Sequence, residues 1–175
     1  MISDYLKKYS YYYLSKYSVT KKKFENILKR KISKDFFQKK ISSEKKTQYL
    51  TEVPKAIEYF NKYGCFNELN LLEVKLRNLL SKGYPLKKIK YILTNDLFNE
   101  DILEKKMNEL KKDENLDYQL MEKYLLKLLK KKNDYKELIT KKEFEKILFK
   151  FVNEGFNYNK SISFLKENLM FYDYP

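Results

Sequence analysis

A nine-residue run, Thr20-Lys21-Lys22-Lys23-Phe24-Glu25-Asn26-Ile27-Leu28, reappears as Thr140-Lys141-Lys142-Glu143-Phe144-Glu145-Lys146-Ile147-Leu148. A looser copy is Pro85-Leu86-Lys87-Lys88-Ile89-Lys90-Tyr91-Ile92-Leu93. An internal repeat constrains a fold strongly, because each copy must be the same supersecondary unit packed in the same way. Each copy here reads as the start of a helix. Thr140 with Glu143 is a capping box ahead of Phe144. Thr20 can cap in the same way, with Lys23 in place of the carboxylate. Pro85 sits in a first turn, where its missing N–H does no harm. The apolar positions that follow, Phe24 and Ile27, Ile89 and Ile92, Phe144 and Ile147, are assigned to cores.

The same three-and-four spacing runs along most of the chain. Ile57, Phe60 and Tyr63 form one stripe, Leu72, Leu76, Leu79 and Leu80 another, and Leu125, Leu126, Leu128 and Leu129 a third. Period 3.6 of this kind predicts amphipathic helices, and without sustained period-two alternation no sheet is expected. Gly64, Gly83 and Gly155 each follow a helical stripe where a left-handed cap would sit. The fold class is therefore all-α, an elongated array of three tandem three-helix modules resembling helix-turn-helix units. The modules span residues 1–65, 66–113 and 114–175. The first contains helices near 4–17, 20–31 and 51–63, the second near 67–82, 85–95 and 99–112, and the third near 116–132, 140–154 and 159–169. A long polar loop over residues 33–50, centred on Ser42-Ser43-Glu44-Lys45-Lys46, is expected to be mobile or functional, or else an insertion.

Absent residue types narrow the chemistry. The chain has no histidine, so no Ser-His, Cys-His or His-metal constellation can be built. Cys65 is the single cysteine, which excludes a zinc knuckle and an intramolecular disulfide and suits a reducing cytoplasm. The three glycines lie far apart and form no phosphate-cradling loop. No cofactor, metal or catalytic residue is expected, and the chain is read as a binding protein rather than an enzyme. The N-terminus Met1-Ile2-Ser3-Asp4-Tyr5 does not look like a secretion signal. No apolar stretch approaches the roughly 20 residues that span a bilayer, so no membrane partner is expected and the protein is read as cytoplasmic. The formal net charge of +14 over 175 residues calls for an acidic partner. Part of that charge has a plainer origin. Lysine outnumbers the two arginines, Arg30 and Arg77, and Ala56 is the only alanine, as in proteins of AT-rich genomes.

Three short three-helix modules, with a long one-sided helix opening the second, resemble the regulatory protein RecX family. Glu58-Tyr59-Phe60-Asn61-Lys62-Tyr63-Gly64-Cys65-Phe66-Asn67-Glu68 is similar to that family's helix end followed by glycine, two hydrophobic residues and an acidic pair. Lys82-Gly83-Tyr84 and Lys87-Lys88-Ile89 resemble its glycine turn and its basic-basic-isoleucine helix start. Phe149-Lys150-Phe151-Val152-Asn153-Glu154-Gly155-Phe156-Asn157-Tyr158 is similar to its last helix pair. The likeness covers nearly the whole chain apart from the 33–50 segment and the last few residues. The sequence also departs from the pattern. Paired aspartates become Asn67-Glu68, arginine-phenylalanine-alanine becomes Asn70-Leu71-Leu72, Pro85 comes one position early, and Leu97 stands where a glycine closes the second helix of the middle module.

The resemblance implies a monomer lying in the groove of the RecA filament on DNA and modulating, most simply inhibiting, its recombinase and ATPase activities. It implies a part in recombinational DNA repair and the SOS response. The expected filament- or DNA-contacting residues are Arg77, Lys82, Lys87, Lys88 and Lys90 around one turn of the middle module, where grouped cations reinforce one another. They could equally be a solvated face. Lys21, Lys22, Lys141 and Lys142, at equivalent places, are second choices. Lys130-Lys131-Lys132 is read as a solubilising helix end. Tyr11-Tyr12-Tyr13 could stack on bases, but at helical spacing one or two of the rings must face the core. The alternative function is a tandem helical protein that binds nucleic acid directly. Against it, the candidate recognition helices carry few Arg, Asn or Gln residues suited to base edges.

Overall fold

The computed structural model describes residues 2–129 and 138–171. Within them the chain is all-α, as expected. The helices are α1 (Asp4–Leu14), α2 (Lys21–Phe37), α3 (Ser43–Lys62), α4 (Glu68–Ser81), α5 (Leu86–Asn95), α6 (Glu100–Leu110), α7 (Leu116–Leu128), α8 (Lys141–Glu154) and α9 (Tyr158–Asn168). Two strands of two residues each, β1 (Leu138–Ile139) and β2 (Met170–Phe171), pair in parallel, Leu138 opposite Met170. This pair corrects the expectation of no sheet. Two residues per strand are too few to leave an alternating pattern.

The chain divides into two compact units, Met1–Glu73 with Asn95–Asn99, and Val74–Thr94 with Glu100–Pro175. The expected boundary at 113/114 therefore falls inside the second unit, and the chain passes from the first unit into the second within α4.

In the first unit α1, α2 and α3 enclose a core of Leu6, Phe24, Leu28, Ile32, Val53 and Ala56, all inaccessible to solvent. Burial of each of these side chains except the small Ala56 stabilises the fold by about 1.5–3 kcal/mol. Phe66 packs on Phe24 with ring centroids 5.6 Å apart. Thr20 caps α2 by accepting from the Lys23 N–H at 3.2 Å, and its hydroxyl donates to the Asp96 carbonyl at 3.0 Å. Lys23, which replaces the capping-box carboxylate, instead forms an ion pair with Asp96.

The long loop expected over residues 33–50 is not there. Helix α2 continues to Phe37 and α3 begins at Ser43, so the connection is only residues 38–42. The extension of α2 is anchored by Asp35, which is buried and accepts hydrogen bonds from the Tyr5 hydroxyl at 2.7 Å and from Lys31. Burial disfavours the Asp35 carboxylate, but the bonds from Lys31 and Tyr5 outweigh burial and hold its pKa below the ordinary value. The polar cluster taken for loop is a helix start. Ser42 accepts from the Lys45 N–H at 3.3 Å as N-cap, with Glu44 in the first turn. Polar residues are required there by the unpaired N–H groups, whatever the helix buries further on. The buried Glu52 of α3 accepts from the Ser3 N–H at 2.8 Å and so caps the start of α1, whose own Ser3 side chain makes no cap.

In the second unit α7, α8 and α9 share a core in which Leu120, Leu125, Phe151 and Leu165 are fully buried and Tyr124, Phe156 and Phe164 nearly so. Leu80 from the end of α4 and Leu86 from the start of α5 pack against the same core. Thr140 and Glu143 form the reciprocal capping box expected at the start of α8. Helices α5 and α6 bury Ile89, Leu93, Leu103 and Met107.

Candidate functional site

The turn between α4 and α5 carries the expected contact residues, and its shape follows from Gly83. The Gly83 N–H donates to the Leu80 carbonyl at 3.1 Å and the Tyr84 N–H to the Leu79 carbonyl at 3.4 Å, which closes α4 with a Schellman motif. Gly83 has φ +69°, and a Cβ there would lie 2.7 Å from the Tyr124 nitrogen and 2.9 Å from the Leu120 carbonyl oxygen of α7. The turn is thus seated directly on helix backbone, and no side chain fits between.

That seating sorts the cations into two kinds. Arg77, Lys82 and Lys87 are exposed, and none makes an ion pair among the described residues. Lys88 faces inward. Its ammonium lies 2.6 Å from the Glu154 carboxylate at the end of α8 and 4.3 Å from the centroid of the Tyr84 ring. Lys127 lies over the same ring at 5.4 Å. The Tyr124 hydroxyl donates to the Lys150 carbonyl at 3.4 Å, and burial, followed by the neighbouring Glu154 charge, raises its pKa. Lys90 is exposed but paired with Glu104 of α6 at 3.0 Å. Of the five residues expected to act together, three are therefore available to an outside partner and two join helices of the second unit.

The second-choice lysines are all exposed, Lys21 and Lys22 in the first turn of α2 and Lys141 and Lys142 in that of α8. A cation in a first turn faces the positive end of the helix dipole, at a cost of a few tenths to about 1 kcal/mol. Lys130, Lys131 and Lys132 lie outside the described residues. In the tyrosine run, Tyr13 packs between Tyr17 and Phe24, at 4.9 and 5.7 Å. Tyr11 lies edge-on to Phe60 and its hydroxyl meets that of Tyr59 at 3.1 Å. Tyr12 is exposed, with Lys16 over its ring at 4.2 Å.

A second basic surface, in the first unit, arises because α2 runs to Phe37, beyond the residue-33 start of the expected loop. Arg30, Ser33, Lys34, Phe37 and Gln38 lie three and four apart on the solvent face of α2, opposite Leu28 and Ile32. Together with Lys29 they line an open hollow of about 540 Å³, and a neighbouring hollow of about 500 Å³ shares Arg30, Lys34 and Gln38. The 3.6-residue spacing of these polar positions is visible in the sequence once the helix is carried past Ile32. Among the described residues no cluster of three or more acidic or cysteine side chains could hold a metal ion. No described helix is long and apolar enough to cross a membrane.

Comparison with known proteins brings no match: no family model, no curated protein and no solved structure is significantly similar to the chain.

Proposed function

We propose that this chain is a RecX-like regulator that binds the RecA filament on DNA and lowers its recombinase and ATPase activities. One observation carries the reading, the left-handed backbone at the helix ends where the resemblance implies it. Gly64, Gly83 and Gly155 have φ of +70°, +69° and +110°. More specifically, Leu97 has φ +59° after α5, at the position where the family's pattern has glycine. A leucine in that conformation costs about 1 kcal/mol or more relative to glycine. The turn thus has the left-handed geometry of a glycine turn although the residue is leucine, which supports the reading. Arg77, Lys82 and Lys87, exposed and without ion pairs among the described residues, are the residues assigned to the filament.

Co-sedimentation with RecA assembled on single-stranded DNA tests the assignment. The Lys82→Glu/Lys87→Glu double variant is expected to bind filaments about tenfold more weakly or worse at moderate salt, since each lost phosphate or carboxylate contact also removes a salt-sensitive term. Undiminished binding by the folded variant would reject this patch. Direct binding of nucleic acid is a second reading, and the basic helix face of the first unit is the observation that favours it.

A further inference from the structure

The outer face of the last two turns of α2 combines two features that folding does not require. The first is Phe37, a residue 79% exposed in the middle of a polar face. Its ring centroid lies 6.0 Å from that of Phe36, and among the described residues no other ring packs on it. The second is a group of cations without counter-ions. Lys29 is paired with Glu25 and Lys31 with Asp35, but Arg30, Lys34 and Lys39 make no ion pair among the described residues. Lys39 also has φ +56°, closing α2 through bonds from the Lys39 N–H to the Phe36 carbonyl and from the Lys40 N–H to the Asp35 carbonyl. A glycine would be less strained there.

We propose that this face binds single-stranded nucleic acid, with Phe37 stacking on an unpaired base and Arg30, Lys34 and Lys39 holding the phosphates beside it. A single strand offers a repeating negative charge and a free π-face, and sequence-tolerant binders recognise it with a basic track and an exposed ring. A duplex hides its base faces. An anionic bilayer would be entered by several apolar side chains, whereas Ser33 and Gln38 share this face with Phe37. An acidic peptide would satisfy the cations but give the ring no required counterpart. Gln38 can donate to or accept from a base edge.

The inference gives the second reading, direct binding of nucleic acid, its site and strand type, and does not rest on the RecA reading, because its test contains no RecA. Binding of the full chain to a fluorescent pyrimidine oligonucleotide is followed by anisotropy over a range of salt. Phe37→Ala is expected to weaken binding about tenfold with the salt dependence unchanged, and Phe37→Tyr to retain it. Arg30→Ala/Lys34→Ala should lower the slope of log K against log salt by about 1.4, at about 0.7 per phosphate for single strands. The Lys111→Ala/Lys112→Ala variant, which removes two exposed cations outside both proposed sites, should bind the oligonucleotide like the parent. Deoxyribo- and ribo-oligomers binding alike supports recognition through stacking and phosphate, while a preference for either supports the site and names the strand. Equal affinity for a duplex of the same length, or no effect of Phe37→Ala and Arg30→Ala/Lys34→Ala in chains of unchanged helicity, overturns the proposal. So does loss of binding to phosphatidylserine vesicles by Phe37→Ala while oligonucleotide binding stays intact.

Discussion

Single residues divide between those that hold the turn and those left free to act, and lysines of one short run fall on both sides. Lys88 neutralises Glu154 against the Tyr84 ring, so Lys88→Glu places two carboxylates together in a half-buried site. That change should cost about 1–3 kcal/mol, because a charge left without its partner away from water is expensive. Lys87→Glu, on the exposed side, should stay within about 0.5 kcal/mol. Urea midpoints of the two variants measure the contrast, and equal midpoints would refute the inward placement of Lys88. Gly83→Ala should lose about 2–4 kcal/mol, combining a disfavoured left-handed alanine with a clash against α7 backbone. Gly64→Ala is its control, since nothing lies within 4 Å of a Cβ there. Asp35 carries a pH dependence. Its folded pKa is held below the ordinary carboxylate value. Its contribution to stability is therefore complete above the unfolded pKa of about 4 and is lost as pH falls through the lower folded value. Asp35→Asn should flatten the acid decline of the melting temperature in that window. Glu52, also held low by its hydrogen bonds against the effect of burial, leaves a remaining slope.

At the scale of elements, most helices are legible in the sequence because their apolar stripes and their punctuation agree. Thr140 with Glu143, Pro85 before Leu86, and Gly83 after Ser81 mark ends that the structure places within a residue or two. The exception is the α2–α3 connection, where two cues conflicted. Asp35 is charged, yet it is buried because Tyr5 and Lys31 reach it from elsewhere in the fold, and no local pattern reports such a partner. Ser42-Ser43-Glu44 is polar because it is a helix start, which composition alone does not distinguish from loop. Ser42→Ala should destabilise the chain by about 1 kcal/mol. Hydrogen exchange adds a direct check, since the Lys46 N–H donates to the Ser42 carbonyl at 2.9 Å and should be protected; exchange at the rate of an open chain would contradict the helix. The surplus cations on α2 are not legible as a group for the same reason, because a face exists only once its helix does. Lys39→Gly should stabilise by about 0.5–1 kcal/mol by relieving the left-handed lysine, a gain visible as a higher melting temperature.

For the whole molecule, the internal repeat proved a better guide than the net charge. It predicted three equivalent helix starts, and α2, α5 and α8 begin within a residue of Thr20, Pro85 and Thr140. It did not foretell that helices of the second and third expected modules would share one compact unit, which depends on Gly83 lying on the α7 backbone and on Leu80 and Leu86 reaching the α7–α9 core. The charge of +14, by contrast, does not tell which cations are left over, since internal pairs such as Lys23 with Asp96, Lys88 with Glu154 and Lys160 with Asp117 cancel without changing it. Exposed cations without ion pairs among the described residues are numerous, Lys21, Lys22, Lys141 and Lys142 included. Two groups of them carry the proposed sites: Arg77, Lys82 and Lys87 in the second unit, and the outer face of α2 in the first, where an exposed ring accompanies them. The RecA reading assigns the first of these to a protein–DNA filament. It is tested most directly by ATP hydrolysis of RecA on single-stranded DNA, titrated with this chain. Inhibition well below one copy per RecA protomer, relieved by Lys82→Glu/Lys87→Glu, is the predicted result. Unchanged hydrolysis at saturating chain, with tight binding to the naked DNA, would contradict it.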